Sequence, residues 1–276
     1  MLTVIKPIIG RTRYTIFVPF TRTWCLDRWF ESFEQVKFYK HLTDLVFYID
    51  SDEVELYDKI YEWSMREGKK FRGCLIYVSG NKEPKEVNVA VRRNRIVDMK
   101  ERSKALITGF YVFGIEDDTL LPTDAFMRLK NNMYKRVGYI EGAEVGRWGL
   151  PMVGAWQCDD LNEPTHQETL LPPSESCIEK ITGGGFYCYL TLSSLYKGIK
   201  YRWHDECFGP DVCYVMDVCK LGYEAYIDWG VSCTHMVGEG TDLTVGLECS
   251  RISWKKIDDI WVVQPYINKE GTRQWS

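Results

Sequence analysis

Residues 107–122 read ITGFYVFGIEDDTLLP, an apolar run that ends abruptly in the three consecutive carboxylates Glu116, Asp117 and Asp118. The apolar run predicts a buried strand. Neighbouring carboxylates repel one another, so their position at the mouth of such a strand is costly unless a hard cation or hydrogen-bond donors offset the charge. The stretch therefore indicates a site for Mg2+ or Mn2+, which bind oxygen ligands and complete their shells with water or substrate phosphates.

A polar loop is the alternative interpretation of the triplet. Asp118 or Thr119 could cap a helix that starts near Pro122, because such side chains accept hydrogen bonds from the first N–H groups of a helix. The triplet by itself leaves both interpretations open.

Composition and charge limit the class of protein. The chain has 276 residues, which is enough for one large α/β domain or two small ones. Its apolar fraction of 45% and charged fraction of 27% are those of a soluble globular protein. The net charge of −4 argues against binding of nucleic acid by general electrostatics, without excluding a local basic groove.

The sequence predicts a cytoplasmic location. Lys6 and Pro7 interrupt the first apolar stretch, so there is no continuous signal-peptide core. No window approaches the roughly 18 apolar residues of a membrane span. The ten cysteines are scattered without a C-x-x-C pair, which favours reduced thiols over a zinc cluster.

Strand-like and helical segments alternate through the first half of the chain. This alternation predicts a mostly parallel, doubly wound sheet. Ligands of such sheets bind beyond the carboxyl ends of the strands, which is where Thr21, Asp50 and the acidic triplet fall. The predicted strands are residues 14–19, 45–49, 71–78 and 107–115, and the predicted helices are residues 26–36, 55–67 and 93–108.

The second half is less regular. Residues 137–157 alternate apolar residues with glycines, which favours twisted antiparallel strands. Residues 158–177 are polar, contain three prolines and are predicted to form a mobile loop or lid. The remaining predicted elements are a strand at 186–190, a helix that begins at Asp211 and stops near Gly222, and a strand at 223–233.

The order of these features resembles the GT-A fold of nucleotide-sugar-dependent glycosyltransferases, family 2-like and phage-encoded enzymes in particular. The resemblance implies an α/β fold with a mixed, mostly parallel central sheet flanked by helices. It also implies one catalytic domain over residues 1–276, with a nucleotide-sugar-binding half at about 11–122, an acceptor half at about 123–249 and a tail at 250–276. The segments that carry it are FVPFTR (17–22), VFYIDSD (46–52), FGIEDDTLLP (113–122), TGGGFYCYLT (182–191), FGPDVCYVMDVCKLGY (208–223) and DWGVSCTHM (228–236).

The resemblance implies a metal-dependent, inverting glycosyltransferase that moves a sugar from a nucleoside-diphosphate-sugar to a hydroxyl acceptor. Glu116 to Asp118 would match the D-x-D metal motif, with Glu in place of the first Asp. Asp118 would bind Mn2+ or Mg2+ directly, and Glu116 would reach the metal, a metal-bound water or the ribose. His235 would be a further metal ligand, and a structural histidine is the alternative.

Asp211 would be the catalytic base that accepts the proton of the acceptor hydroxyl. A plain helix N-cap is the alternative, and the helix N-terminus is expected to lower the Asp211 pKa and weaken it as a base. Asp205 and Glu206 are the substitute candidates.

The resemblance also places residues around the donor. Asp50 would contact the base or ribose of the nucleotide, and Thr21 and Arg22 would line the same pocket. One of the arginines in residues 92–95 would face the diphosphate. The glycines 183–185 would allow close approach to the donor sugar or acceptor, although a simple turn would also require them. The predicted donor-binding set is Thr21, Arg22, Asp50, Arg93, Arg95, Glu116, Asp117, Gly184 and Gly185.

The acceptor is open to several interpretations. A phage-like enzyme could glycosylate a hydroxymethylated base in DNA, a virion protein or a glycan. Trp148, Trp156 and Trp203 are candidates for stacking on the acceptor, although buried core is the commoner fate of Trp. A carbohydrate-binding protein or an inactive transferase fold is the alternative function. A sugar-phosphate nucleotidyltransferase is disfavoured, because FVPFTRTW has no glycine.

Overall fold

The computed structural model describes most of the chain. The described residues are 1–80, 88–144, 153–162, 166–170, 177–204 and 209–238, together with the short strand segments 241–244, 253–257, 260–264, 266–267 and 273–274. The helices are α1 (Leu26–Gln35), α2 (Val54–Arg66), α3 (Val89–Ser103), α4 (Ala125–Asn131), α5 (Ser193–Gly198) and α6 (Pro210–Lys220). The strands are β1 (Leu2–Lys6), β2 (Thr12–Phe20), β3 (Thr43–Ile49), β4 (Gly73–Val78), β5 (Gly109–Ile115), β6 (Thr119–Leu120), β7 (Val137–Ala143), β8 (Trp156–Cys158), β9 (His166–Thr169), β10 (Ile178–Ile181), β11 (Cys188–Leu192), β12 (Glu224–Ser232), β13 (Thr234–Gly238), β14 (Thr241–Thr244), β15 (Ser253–Ile257), β16 (Ile260–Gln264), β17 (Tyr266–Ile267) and β18 (Arg273–Gln274).

A nine-stranded mixed sheet forms the centre of the molecule, in the order β1-β4-β3-β2-β5-β11-β7-β12-β10. The strands β4, β3, β2 and β5 run parallel to one another. Strands β3, β4 and β5 are each reached by a helical connection, so the alternating sequence pattern of the first half is confirmed. The carboxyl ends of β2, β3 and β5 consequently meet at one edge of the sheet.

The second half continues this sheet with a change of direction. Strand β11 lies antiparallel between β5 and β7, whereas β7 and β12 are parallel neighbours. The antiparallel prediction for residues 137–157 is therefore correct for the β7–β11 pair and wrong for the β7–β12 pair. Strand β9 lies within the segment predicted to be a loop and pairs with β8 and β15.

Helices cover both faces of the sheet, because side chains alternate between the two faces of each strand. Along β2, Ile16 and Val18 belong to the buried cluster under α1, α2 and α4, whereas Phe17 belongs to the cluster under α3, α5 and α6. Trp29 of α1 stacks on Phe33 with ring centroids 4.7 Å apart. The Trp29 indole N–H also donates to the carbonyl of Glu116 at 2.9 Å, which joins α1 to the end of β5.

The chain after the triplet does not begin a helix directly. Thr119 and Leu120 form β6, and α4 begins at Ala125 with Asp124 as its N-cap residue. The alternative that Asp118 or Thr119 caps this helix is therefore wrong. Thr119 is instead paired with His235 in the β6–β13 ladder.

Within the described residues, the helices are too short or too polar to traverse a bilayer.

We expect Gly109→Ala to destabilise the fold by about 2 kcal/mol, because over-packing a tightly packed site usually costs ~1–3 kcal/mol. A Cβ at this first residue of β5 would lie 2.5 Å from the Thr15 nitrogen and 2.6 Å from the Tyr14 carbonyl carbon, both backbone atoms of β2. Denaturant unfolding measures the change. Gly198→Ala is the control, since no atom lies within 4 Å of its Cβ position. Equal stability of the two variants would contradict this expectation.

Candidate functional site

The first part of the site is a junction between the ends of β2 and β5. Asp117 is 3% exposed, and its Oδ2 accepts hydrogen bonds from the Thr21 N–H at 2.6 Å and the Thr21 hydroxyl at 3.0 Å. The Asp117 carboxylate therefore fixes the turn that follows β2. The structure brings these two predicted residues together, with Asp117 as the acceptor that holds Thr21 in place.

Arg22 lies over the acidic pair. Its Nη1 is 2.7 Å from Asp117 Oδ1 and 2.5 Å from Asp118 Oδ2, while 28% of the Arg22 side chain remains exposed. The two carboxylates are almost fully buried, so this guanidinium offsets much of the cost of holding them side by side.

His235 lies directly beside Asp118, although 117 residues separate the two in sequence. The imidazole Nε2 is 3.2 Å from Asp118 Oδ2, and both side chains are buried. The β6–β13 pairing produces this contact, and the Met236 N–H donates to the Asp118 carbonyl at 2.8 Å. The predicted pair of metal ligands is therefore assembled by backbone pairing.

Glu144 is a site residue that sequence reasoning missed. It is 3% exposed; its Oε2 accepts from the Thr119 hydroxyl at 2.7 Å, and its Oε1 is 3.4 Å from His235 Nδ1. Burial raises the pKa of Glu144 well above its usual value, and the charge of Glu116 adds to the effect. The signal available in the sequence was an acidic residue directly after the apolar run of β7, the same pattern that identified the triplet.

The geometry of Asp118 and His235 fits a divalent cation. Their 3.2 Å separation is close to the ~3 Å expected between adjacent ligands of an octahedral ion with bonds of about 2.1 Å. Within the described residues, no three His, Cys, Asp or Glu side chains form a group that could hold a metal. A cation held by this pair would take its other ligands from phosphate and water, as Mg2+ commonly does.

Glu116, the third predicted ligand, does not join this pair in the structure. Its N–H donates to the Tyr187 carbonyl at 2.9 Å, and its own carbonyl accepts the Trp29 indole N–H. These bonds hold the Glu116 backbone directly after the end of β5, whereas Asp118 belongs to the turn that follows. Glu116 is half-buried, and its charge raises the pKa values of Lys100 and Glu144.

Asp211 is the second residue of α6, and Gly209 is the N-cap residue. The alternative of a plain N-cap is therefore wrong. The pKa of Asp211 is raised, because burial outweighs the opposing effects of the Val212 N–H, Arg93 and Lys100. The expected lowering by the helix N-terminus is thus overcome, and a raised pKa makes a carboxylate a stronger base.

Lys100 is a second residue that sequence reasoning missed. It is 2% exposed, and its Nζ donates to the Tyr189 hydroxyl at 3.0 Å and lies 3.9 Å from the centre of the Phe186 ring. Burial lowers its pKa from 10.5 to about 7, against the raising effects of Glu116 and Asp211. Lys100 is therefore a buried base or cation between the acidic triplet and Asp211.

Glu141 supports the glycine segment, which is residues 183–185. Its Oε2 accepts from the Gly185 N–H at 2.8 Å and lies 2.7 Å from the Tyr139 hydroxyl, which also hydrogen-bonds to the Gly185 carbonyl. Tyr139 and Gly185 both donate to this carboxyl, and these hydrogen bonds lower its pKa against the larger effect of burial. Burial, which raises the Glu141 pKa well above its usual value, is consistent with a protonated carboxyl.

The glycine at 184 is required by this packing. A Cβ there would lie 2.4 Å from Glu141 Oε2, and a Cβ at Gly185 would lie 2.1 Å from the Tyr187 ring. Gly183 packs against Val212, the residue after Asp211, with 3.0 Å between its Cβ position and a Val212 methyl carbon. The glycine segment thus lies between Glu141 and the start of α6.

The arginines of α3 divide between two partners. Arg95 Nε is 2.5 Å from Asp50 Oδ2, so these two predicted donor residues form an ion pair. The Arg93 guanidinium lies 5.5 Å from the Trp203 ring centre, whereas Arg92 is exposed.

The remaining candidates divide into two groups. Trp156 is half-buried against the cluster of Val212, Cys213 and Met216. Trp148, Asp205 and Glu206 lie outside the described residues.

The fold is that of GT-A glycosyltransferases. No model of a known protein family and no curated protein matches the chain. The mannosyltransferase PcManGT from Pyrobaculum calidifontis, solved with GDP-Man and Mn2+, aligns with 79% of this chain and 57% of its own, at 11% identity and a TM-score of 0.51. GalNAc-T7, solved with UDP, GalNAc and Mn2+, aligns with 82% of this chain and 44% of its own, at 10% identity and a TM-score of 0.56. This chain spans about half the length of these two proteins.

We expect the stability of the protein to fall as pH rises above about 4.5, because Glu141 stays protonated in the folded state and ionises in the unfolded state. The unfolded state then binds fewer protons, so the slope is negative. In Glu141→Gln this difference of one bound proton between the folded and unfolded states is lost. The decline in stability should therefore become less steep by about 1.4 kcal/mol per pH unit over that range. Denaturant unfolding from about pH 5 to pH 8 measures the slopes.

Glu144 contributes a slope of the same sign, so Glu141→Gln should make the decline shallower and leave part of it. The exposed Glu62→Gln variant is the control and should keep the wild-type slope. An unchanged slope in Glu141→Gln would show that Glu141 is ionised in the folded protein.

Proposed function

We propose that the protein is a metal-dependent, inverting glycosyltransferase that moves a sugar from a nucleoside-diphosphate-sugar to a hydroxyl acceptor. The observation that carries this proposal is the buried Asp118–His235 pair, with 3.2 Å between Nε2 and Oδ2, at the carboxyl edge of the central sheet. The GT-A fold supports the proposal, because that edge is where open α/β sheets bind their ligands.

The donor would lie across the ends of β2, β3 and β5. Asp118 and His235 would hold Mn2+ or Mg2+, with Glu116 and Asp117 around the nucleotide. A bound metal would supply Lewis-acid stabilisation of the charge that develops on the leaving diphosphate. Arg93 would add positive charge on the α3 side.

Asp50 and Arg95 form the nucleoside end of this pocket. Their ion pair fixes the Asp50 carboxylate at the end of β3, where it can accept hydrogen bonds from ribose or base. Thr21 and the backbone of Gly184 and Gly185 would complete the proposed donor-binding set.

Asp211 would act as the catalytic base. It takes the proton of the acceptor hydroxyl while that oxygen attacks the anomeric carbon, and the bond from that carbon to the diphosphate oxygen breaks with its electron pair. Attack from the face opposite the diphosphate inverts the configuration. The raised Asp211 pKa suits this step, and Lys100 lies close enough to oppose that rise.

The acceptor stays a prediction from the sequence. A hydroxymethylated base in phage DNA, a virion protein and a glycan each present the hydroxyl that this chemistry requires. A screen of donors by hydrolysis, followed by a screen of acceptors by mass shift, identifies both substrates.

We expect Asp118→Ala to abolish donor hydrolysis and transfer, because it removes one of two metal-binding side chains, and chelator should do the same to the wild type. Release of nucleoside diphosphate in Mn2+ or Mg2+ is the measurement. Asp58→Ala, at an exposed position of α2, is the control. Activity that survives both the substitution and the chelator contradicts the metal assignment. Sugar binding that ignores the nucleotide in calorimetry would favour a carbohydrate-binding protein.

We expect Asp211→Asn to lower kcat for transfer by about 10²–10⁴-fold, the usual contribution of a positioned general base. Donor binding should change little, since the amide has the size of the carboxylate. Asp217→Asn is the matched control, because Asp217 lies on the same helix and makes surface ion pairs with Arg202 and Lys220. Equal kcat values for the two variants would remove Asp211 from the mechanism.

A further inference from the structure

Arg22 already occupies the position of a cation in the site. A single nitrogen, Nη1, bridges Asp117 Oδ1 at 2.7 Å and Asp118 Oδ2 at 2.5 Å. The side chains of Asp117 and Asp118 are 4% and 0% exposed, whereas that of Arg22 is 28% exposed. The guanidinium thus closes the solvent side of two buried carboxylates.

A divalent cation and Arg22 cannot share Asp118 Oδ2 in this arrangement. The same oxygen faces His235 Nε2 at 3.2 Å, so a metal held by Asp118 and His235 would lie next to the guanidinium. A divalent cation and a guanidinium that contact the same carboxylate oxygen repel each other strongly in a poorly solvated site. Arg22 must therefore leave Asp118 when a metal arrives.

The movement is confined to the Arg22 side chain. The preceding residue, Thr21, is held by two hydrogen bonds to Asp117 Oδ2, an oxygen other than the one Arg22 contacts on that residue. Asp117 can keep the turn in place while the guanidinium swings outwards. A guanidinium released at the mouth of the site is suited to a phosphate group, which it can bind through two parallel hydrogen bonds.

We propose that Arg22 is a displaceable counter-ion that couples metal binding to diphosphate binding. It neutralises Asp117 and Asp118 in the metal-free protein, and it transfers to the phosphates of the nucleotide when a divalent cation takes its place on Asp118. The inference rests on the proposed metal site. Its consequence is that metal alone binds weakly, whereas metal and nucleoside diphosphate strengthen each other's binding.

Mn2+ binding to the full chain, measured by electron paramagnetic resonance without nucleotide, tests the first half of this proposal. Arg22→Gln should bind Mn2+ about 10-fold more tightly than the wild type, because no guanidinium has to be displaced. Arg13→Gln is the control, since Arg13 is exposed at the opposite end of β2. Unchanged or weaker Mn2+ binding by Arg22→Gln overturns the proposal.

The same titrations with UDP and with GDP, corrected for metal–nucleotide complexes in solution, test the coupling. In the wild type, whichever nucleotide binds should raise the affinity for Mn2+. In Arg22→Gln, the ratio of the Mn2+ affinities with and without nucleotide should fall towards one. An enhancement that survives in Arg22→Gln overturns the coupling.

A measurement on the wild type keeps the proposal testable if Arg22→Gln fails to fold. In protein labelled with 15N-arginine, Mg2+ alone should shift the Arg22 side-chain N–H signal and accelerate its exchange with water, with Arg22→Lys providing the assignment. An unaltered signal at saturating Mg2+ overturns the proposal. Absence of Mn2+ and Mg2+ binding in every variant, with and without nucleotide, would overturn the proposed function as well.

Discussion

The cost of burying carboxylates at one edge of the sheet is the constraint on which the rest of the site depends. Asp117, Asp118, Glu141 and Glu144 are each at most 3% exposed. A carboxyl group removed from water must either take up a proton or, if it is ionised, be stabilised by a cation or by several hydrogen-bond donors. The structure uses all three, and the side chains that provide them come from distant parts of the chain. The groups that compensate these buried charges therefore come together only when the chain folds. They are brought to one edge of the sheet by β2, β6, β7, β11 and β13.

The buried carboxylates next to β5 and those next to β7 are compensated in different ways. Next to β5, the Arg22 guanidinium lies against Asp117 and Asp118 and offsets part of their charge. Next to β7, burial raises the pKa of Glu141, whose carboxyl holds the glycine segment through the Gly185 N–H. Lys100 interacts electrostatically with Glu116 and Asp211, and burial moves the pKa values of Lys100 and Asp211 towards each other, to about 7 for Lys100 and above its usual value for Asp211.

The sequence predicted the elements whose periodicity is unambiguous. The parallel strands, the helices between them and the strand ends that carry Thr21, Asp50 and Asp118 follow from apolar runs of strand length and helical spacing. The His235–Asp118 contact was predicted only through motif order, because nothing local to either residue encodes the β6–β13 pairing. Lys100 was missed since its aromatic surroundings come from β2, β11, α5 and the segment before β11. Glu141 was missed because a single acid inside an apolar strand reads as an outward-facing residue. The direction of the β7–β12 pair depends on a long connection, which strand patterns do not specify.

The glycine segment is explained by its packing inside the protein, without reference to a substrate. Gly184 and Gly185 were predicted to leave room for a substrate, yet their Cβ positions are blocked by Glu141 and by the Tyr187 ring. The glycines are therefore explained by the protein itself. Because these glycines lack side chains, Glu141 approaches the backbone closely enough to accept from the Gly185 N–H, and Gly183 packs against Val212, the residue after Asp211. The helix of the proposed base therefore begins beside a segment that Glu141 holds, and its own glycine N-cap supplies no side-chain restraint.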